Sequence, residues 1–344
     1  MFNKGILVVW SMQVVVLAGG VGSRLRPWTQ KIPKPLLKML DKTLLERVVE
    51  CMPKDKVDEV IVAGGYMIDE IQNYFRDNEV DFDVRIVRES EPLGTGGALG
   101  NCRDIASGTF ACFNGDIISS LNAQSIIDLH SNNGGIGTLG LWRVDDPTRF
   151  GIVGLNENKK ITKFKEKPKP EEVFSNLINA GSYILDEDIF SYMPNGRHSL
   201  ERDVFPKLAS QGDLNGKEFE GYFIDAGTPP AWMDGVRTCI EQSRFKTGTV
   251  MHSSWFENIE SASIKNSKHR LSMFQKNISM VDSEVIATTL LSGSKVSSRT
   301  KLKNCLIGEN AVILEGAELD GVVVDHGAQV PANHFQVGGQ WPPN

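Results

Sequence analysis

From about residue 284 the apolar residues of this chain return at every sixth position: Leu290, Val296 and Leu302, then Ile307, Ile313 and Leu319, then Val324 and Val330. Neither the 3.6-residue period of a helix nor the two-residue period of a half-buried strand gives that spacing. Three hexads make one triangular coil of a β-helix, so the tail is expected to hold roughly three stacked coils. The competing reading is a few ordinary strands in a β-rich cap, and the repeat favours the solenoid. A short solenoid leaves flat faces and ends exposed, which suits docking against the rest of the chain or against another subunit.

The first two thirds of the chain has a different texture. Residues 13–17 (QVVVL) form a continuous, mostly β-branched run, as in a strand buried on both faces. Strand signals at 58–65, 82–87 and 109–116 alternate with helical spacing at 44–52, 67–75 and 96–105. That alternation specifies parallel strands joined by crossovers, hence an α/β domain. Ligands of such open sheets bind beyond the carboxyl ends of the strands, where both LAGG (17–20) and FNGD (113–116) fall. Further on, 150–168 reads as a hairpin turning at Asn156–Lys159, and 178–190 as a strand running into a helix. Residues 221–237 read as a strand, a turn and a helix whose start is marked by Thr228 and Pro229. The stretch 244–280 has weak periodicity and reads as a connector. Residues 1–11 precede a second methionine, Met12, and read as an extension outside the fold. The expected division is therefore 12–243, 244–280 and 281–344.

Bulk composition excludes several classes. With 37 basic against 43 acidic residues the net charge is −6, whereas nucleic-acid binding normally leaves a basic surface. The apolar run Ile6–Trp10 is too short to span a bilayer, so neither a nucleic acid nor a membrane is an expected partner. Five cysteines without a Cys-x-x-Cys pair fit reduced thiols in the cytoplasm better than disulfides or a zinc site. Against this acidic background, LAGGVGSRLRPWTQKIPKPLL (17–37) carries Arg24, Arg26, Lys31 and Lys34 and no acid, as a site for an anion would. It is no dinucleotide fingerprint, because Leu25 stands where the third glycine belongs, and it lacks the Gly-Lys-Ser/Thr ending of a P-loop. What remains is a loop whose backbone N–H groups can face phosphate oxygens, followed by cations. On the glycines alone, a tight turn with solvated arginines would serve equally.

The full spacing is more specific. Two glycines, x-Gly-x-Arg-Leu-x-Pro and Pro-Lys-Pro resemble the signature of the sugar-phosphate nucleotidyltransferases (nucleotide-sugar pyrophosphorylases). The resemblance continues in order over 13–237 through EPLGTGGAL (91–99), NGD (114–116), RFGIV (149–153), FKEKP (164–168), NAGSYIL (179–185) and IDAGTPPAW (224–232). It implies a Rossmann-like, mostly parallel α/β nucleotidyltransferase domain followed by a left-handed β-helix-like hexapeptide-repeat domain. The implied reaction is attack of a sugar 1-phosphate oxygen on the α-phosphorus of a nucleoside triphosphate, expelling pyrophosphate. Such chemistry asks for positioning and charge neutralisation more than for covalent participation.

By the match, Leu17, Ala18, Gly19, Gly20, Gly22 and Ser23 with Gly94 and Thr95 would contact the nucleotide. Arg24 would hold the triphosphate, and Lys34, aimed by its flanking prolines, would reach the α-phosphate or the attacking phosphate. Asp116 and Asp225 would hold Mg2+, which takes few carboxylates and binds substrate phosphates. Lys167 would bind the sugar's phosphate, with Glu166, Asn179 and the backbone at Gly151 contacting the sugar.

The base-reading position departs from members that use uridine or thymidine triphosphates. Those carry Gln five residues before the glycine of the Pro-Leu-Gly segment; here Glu89 stands five before Gly94. Guanine presents adjacent N1–H and N2–H₂ donors that an acceptor-only carboxylate matches bidentately. Glu89 therefore argues for GTP; Glu91 at the base in its place would also be a carboxylate, and the inference would survive in weaker form. Within the family, guanine then implies mannose 1-phosphate or a manno-configured heptose 1-phosphate, and mannose is favoured. Glucose 1-phosphate with dTTP or UTP, and a regulatory paralogue that binds nucleotide-sugar without turnover, remain the rivals. The tail reads as an assembly or regulatory module that would join copies into a homo-oligomer. His326 reads as a solvated turn residue rather than the centre of an acyltransferase.

Overall fold

A computed structural model describes residues 11–343, so all but the last residue of the expected 1–11 extension lies outside the described residues. The chain divides into two compact units: residues up to Gly20 with Val48–Phe223, and Val21–Arg47 with Ile224 onward.

The first unit is built on a nine-stranded sheet. Its strands are β1 (Met12–Leu17), β2 (Val57–Gly64), β3 (Asp83–Arg88), β4 (Thr109–Asn114), β5 (Gly137–Arg143), β6 (Gly151–Leu155), β7 (Ile161–Glu166), β8 (Leu177–Asp186) and β9 (Leu214–Glu218). The order β7-β6-β8-β4-β1-β2-β3 runs across the sheet, with β5 on β8 and β9 on β5. Strands β4, β1, β2 and β3 are mutually parallel, and β8 runs antiparallel to β4. Val14, Val15 and Val16 are fully buried, as the unbroken β-branched run requires of a central strand covered on both faces. Helix α1 (Leu44–Val49) falls in the expected 44–52 stretch, helices α2 (Ile68–Asp77) and α3 (Gly94–Gly100) supply the expected crossovers, and β6–β7 is the expected hairpin. The structure adds β5, β9, α4 (Ala123–Asn133) and α5 (Phe205–Gln211), none of which stands out in the sequence. Glycines interrupt the β5 pattern: a Cβ on Gly137 would sit 3.0 Å from Leu214.

The second unit is a β-helix of three sheets, parallel except for the antiparallel strand Thr249–Met251, joined by the segment 21–47 and helix α6 (Pro229–Glu241). Thr228 caps α6 by accepting the Ala231 amide, as Thr-Pro at a helix start predicts. The pairs Leu290↔Ile307, Ile307↔Val324 and Val324↔Trp341 mark a repeat of 17 residues, two hexads and a pentad. Its corners lie in the left-handed region and are mostly Gly, Asn or Asp, as at Asp282, Gly316 and Asn333.

The described residues form five coils rather than roughly three, and they begin inside the expected connector: strands at Ser254–Phe256, Ser263–Lys265, Lys268–Arg270, Met273–Phe274 and Ser279–Val281 all pair within the three sheets. The hexad is masked there because His269 occupies an inward position among Phe256 and Phe274 and the spacing shortens to five. Segment 21–47 joins this unit through a buried charge pair. The Arg47 guanidinium, 1% exposed, donates to Met39 O and to Asp41 Oδ1 at 2.6 Å. Asp41 Oδ2 in turn accepts the Lys246 amide.

Burial holds the His130, His269 and His326 imidazoles below their usual range, with desolvation the largest cause for each. Each thus takes a proton more readily when unfolded than when folded. Stability is therefore complete above the usual imidazole pKa of about 6.5 and falls as pH drops below it. The melting temperature is expected to decline from pH 7.5 to 6.0, and His269→Gln to flatten that slope. A melting temperature that holds or rises over this range would contradict the assignment.

Candidate active site

The expected site residues divide between the two units. In the first unit, β1 and β2 end side by side and open into glycine loops. The Ala18 amide donates to Ala63 O, and the Glu89 amide, just past β3, donates to Gly64 O at 2.9 Å. Gly19 and Gly65 are needed because both loops close on Glu89. A Cβ on Gly19 would lie 3.0 Å from Glu89 Oε1, and one on Gly65 would lie 2.8 Å from the Glu89 carbonyl. Glu89 Oε2 accepts the Leu93 amide at 3.2 Å, while Oε1 is buried with no hydrogen-bond partner. Burial raises the Glu89 carboxyl above its ordinary range. An acceptor left unmatched in this way costs about 1–3 kcal/mol unless something else donates to it. Glu91, by contrast, is exposed.

Gly94 and Thr95 open α3. Gly94 has φ +75° and a Cβ there would lie 2.6 Å from His198 O, so its glycine is demanded by the protein's own packing. Thr95 Oγ donates to Glu201 Oε2 at 2.6 Å and accepts the Leu200 amide at 3.1 Å. Glu201 is a site residue that sequence reasoning missed. It is 9% exposed and also accepts from Ser199 Oγ at 2.7 Å and Tyr183 OH at 3.4 Å. Asn179 Nδ2 donates to the same Tyr183 hydroxyl at 2.9 Å, so Thr95 and Asn179 hang on one network. The available signal was an acid between Leu200 and Val204-Phe205, on what would otherwise be a buried helical face.

Gly151, Glu166 and Lys167 meet at the open end of the β6–β7 hairpin. A Cβ on Gly151 would lie 2.9 Å from Glu166 Oε2. Glu166 is raised by burial first and by the Glu201 charge second. Lys167 Nζ lies 3.7 Å from Glu166 Oε1 with its side chain 58% exposed, so the ammonium is available to an anion. Lys167 also sits at φ +45°, a conformation that a non-glycine residue adopts at a cost and that clusters at functional sites. Asp116 lies half-buried in the turn that follows β4.

In the second unit, Gly22 has φ +62° and begins a one-turn 3-10 helix, Ser23–Leu25, which leaves Arg24 exposed. Lys34 lies in another such turn and is only 8% exposed, which sets it apart from a solvated surface lysine. Arg24 and Asp225 come together over the bare Cα of Gly227. A Cβ on Gly227 would lie 2.6 Å from Arg24 Nη2 and 2.8 Å from Asp225 Oδ1. A carboxylate and a guanidinium held this close together can take a hard cation and an anion side by side.

The Nucleotidyl transferase family profile matches residues 13–242. A protein of Oryza sativa subsp. japonica named probable mannose-1-phosphate guanylyltransferase 1 is 34% identical over 250 residues, covering 70% of this chain and 68% of that protein. Mannose-1-phosphate guanylyltransferase 1 of Arabidopsis thaliana is 32% identical over 249 residues, with the same coverage. Among solved structures, HddC from Yersinia pseudotuberculosis, also solved complexed with GMP-PN, superposes with a TM-score of 0.55 at 31% identity, covering 65% of this chain and 98% of that one. With two thirds of its length matched by that profile, the chain belongs to the nucleotidyl transferase family.

Proposed function

We propose that this chain joins GTP and mannose 1-phosphate to give GDP-mannose and pyrophosphate. One phosphate oxygen of the sugar attacks the α-phosphorus, and the bond from that phosphorus to the β-phosphate oxygen breaks. Glu89 carries the reading: its buried, unpartnered Oε1 beside Gly19 is an acceptor that the paired donors of guanine would satisfy. The names of the relatives support the sugar. Arg24 and Lys34 offset the repulsion between two anionic substrates, Lys167 holds the sugar's phosphate, and Glu166 and Asn179 orient the sugar through its hydroxyls. The carboxylates of Asp116 and Asp225 are the hard oxygen donors that Mg2+ prefers. When bound, Mg2+ neutralises phosphate charge and acts as a Lewis acid.

We take the enzyme to act in the cytoplasm, which its free cysteines support. We also take it to self-associate through the β-helix. No helix among the described residues is long and apolar enough to cross a membrane.

The test is pyrophosphate release from GTP, dTTP, UTP, ATP and CTP against mannose, manno-heptose and glucose 1-phosphates with Mg2+. Turnover is expected to be selective for GTP with mannose 1-phosphate. Glu89→Gln is expected to cut that selectivity on the order of 10- to 100-fold, the worth of one buried charged acceptor. A wild type that prefers dTTP or UTP would sink the base assignment while keeping the reaction class.

A further inference from the structure

The segment bearing Arg24 and Lys34 has little structure of its own. Between Gly22 and Leu37 it consists of three 3-10 turns of three residues each, Ser23–Leu25, Trp28–Gln30 and Lys34–Leu36. Turns that short do not hold their shape unaided. Something else must fix the aim of the two cations.

That support comes from nearly three hundred residues away in sequence. Trp28 is 1% exposed and its Nε1–H donates to Val324 O at 3.0 Å, in the fifth coil of the β-helix. The same carbonyl accepts the Gly308 amide from the coil before it, so Trp28 is tied to a point fixed by the β-sheet ladder. Lys31 Nζ lies 3.1 and 3.2 Å from the two Asp325 oxygens and 3.3 Å from His326 O. Asp325 Oδ1 also accepts the His326 amide at 2.7 Å, and the His326 ring lies 6.0 Å from that of Trp28. These contacts fall between the two cations: Arg24 precedes Trp28 by four residues and Lys34 follows Lys31 by three. A little further along, the Leu40 amide lies 3.3 Å from Met273 Sδ.

We propose that Trp28 and Asp325 are positioning residues, and that the β-helix is the scaffold on which the cationic loop is set for the reaction. This rests on the proposed roles of Arg24 and Lys34. Of the two ties, Trp28 is the stronger. The Lys31–Asp325 pair is half-exposed on the lysine side, where ion pairs contribute at most about 1 kcal/mol. Trp28 brings a buried ring and a desolvated hydrogen bond, and its loss would let the loop shift. A displacement near 1 Å at a reacting group can cost on the order of 10²-fold in rate.

The test compares Trp28→Phe, which keeps an aromatic ring and removes the donor, with Asp325→Asn and with Leu302→Ala, a cavity in the β-helix interior. Two readouts are taken on the full chain: steady-state kinetics with GTP and mannose 1-phosphate, and amide hydrogen exchange. Trp28→Phe is expected to lower kcat about tenfold, with the sugar-phosphate KM within about twofold. Exchange should rise over residues 23–36 and not in the β-helix strands. Asp325→Asn should do the same more weakly. Leu302→Ala should lower the melting temperature and leave kcat unchanged. Trp28→Phe with unchanged loop exchange, or with exchange raised equally through the β-helix, overturns the proposal, as does an unchanged kcat. Should wild type release no pyrophosphate from any pair, the functional reading fails, and loop exchange alone decides whether Trp28 holds the segment.

Discussion

Gly22→Ala is expected to lower kcat/KM by about 100-fold while leaving a folded protein, because the residue sits where two demands coincide. Its φ of +62° costs an L-residue about 1–2 kcal/mol. The added Cβ would also lie 2.8 Å from Thr29 Cγ2 and 3.3 Å from Lys34 Cβ. Thr29 cannot yield easily, since it is fully buried and its hydroxyl donates to Gly22 O at 2.8 Å. The backbone must move instead, carrying Arg24 two residues on and pushing Lys34 off its place. A shift of that size at groups meant to meet phosphates is worth on the order of 10²-fold. Gly20→Ala makes the contrast: among the described residues nothing beyond its chain neighbours lies within 4 Å of its Cβ position, so any activity it loses reports substrate passing over the backbone. The measurement is kcat/KM for GTP together with the melting temperature. Gly22→Ala at wild-type activity would mean that the loop's shape does not govern the cations.

How far the molecule could be read beforehand follows from where its physics is local. Strand β1 was legible because burial on both faces leaves an unbroken apolar run, and the α6 start because Thr-Pro acts within one turn. The coils from Leu290 to Val330 were legible because each inward position is apolar. The coils on either side were not, since His269 and Gln336 occupy inward positions there and break the pattern. In the site, motif spacing named Glu89, Glu166 and Lys167 but not Glu201, whose meaning comes from its hydrogen bond with Thr95, 106 residues away. The tie from Trp28 to Val324 spans 296 residues and has no spacing to read. The unit boundary was missed for the same reason: segment 21–47 follows β1 in the chain yet packs with the β-helix.

Asp225→Asn is expected to produce the largest loss of any isosteric change, about 10³-fold in kcat. Two roles compete for this carboxylate. As a hard oxygen donor it would help neutralise the triphosphate through Mg2+, an effect worth several kcal/mol, or on the order of 10³-fold. As a plain structural partner it would steady Arg24, whose Nη2 lies with it close over Gly227. The two roles separate on the dependence of rate on Mg2+. If Asp225 is a ligand, the asparagine variant needs a higher Mg2+ concentration for half its own maximal rate, and its melting temperature changes little. Were it only a partner for Arg24, the Mg2+ requirement would stay put and the KM for GTP would carry the loss. Gly227→Ala sharpens the distinction, because its Cβ would crowd Arg24 and Asp225 at 2.6 and 2.8 Å without removing either charge. A Mg2+ requirement raised by both variants marks the space over Gly227 as part of the cation's surroundings; one unmoved by both removes Asp225 from the metal set.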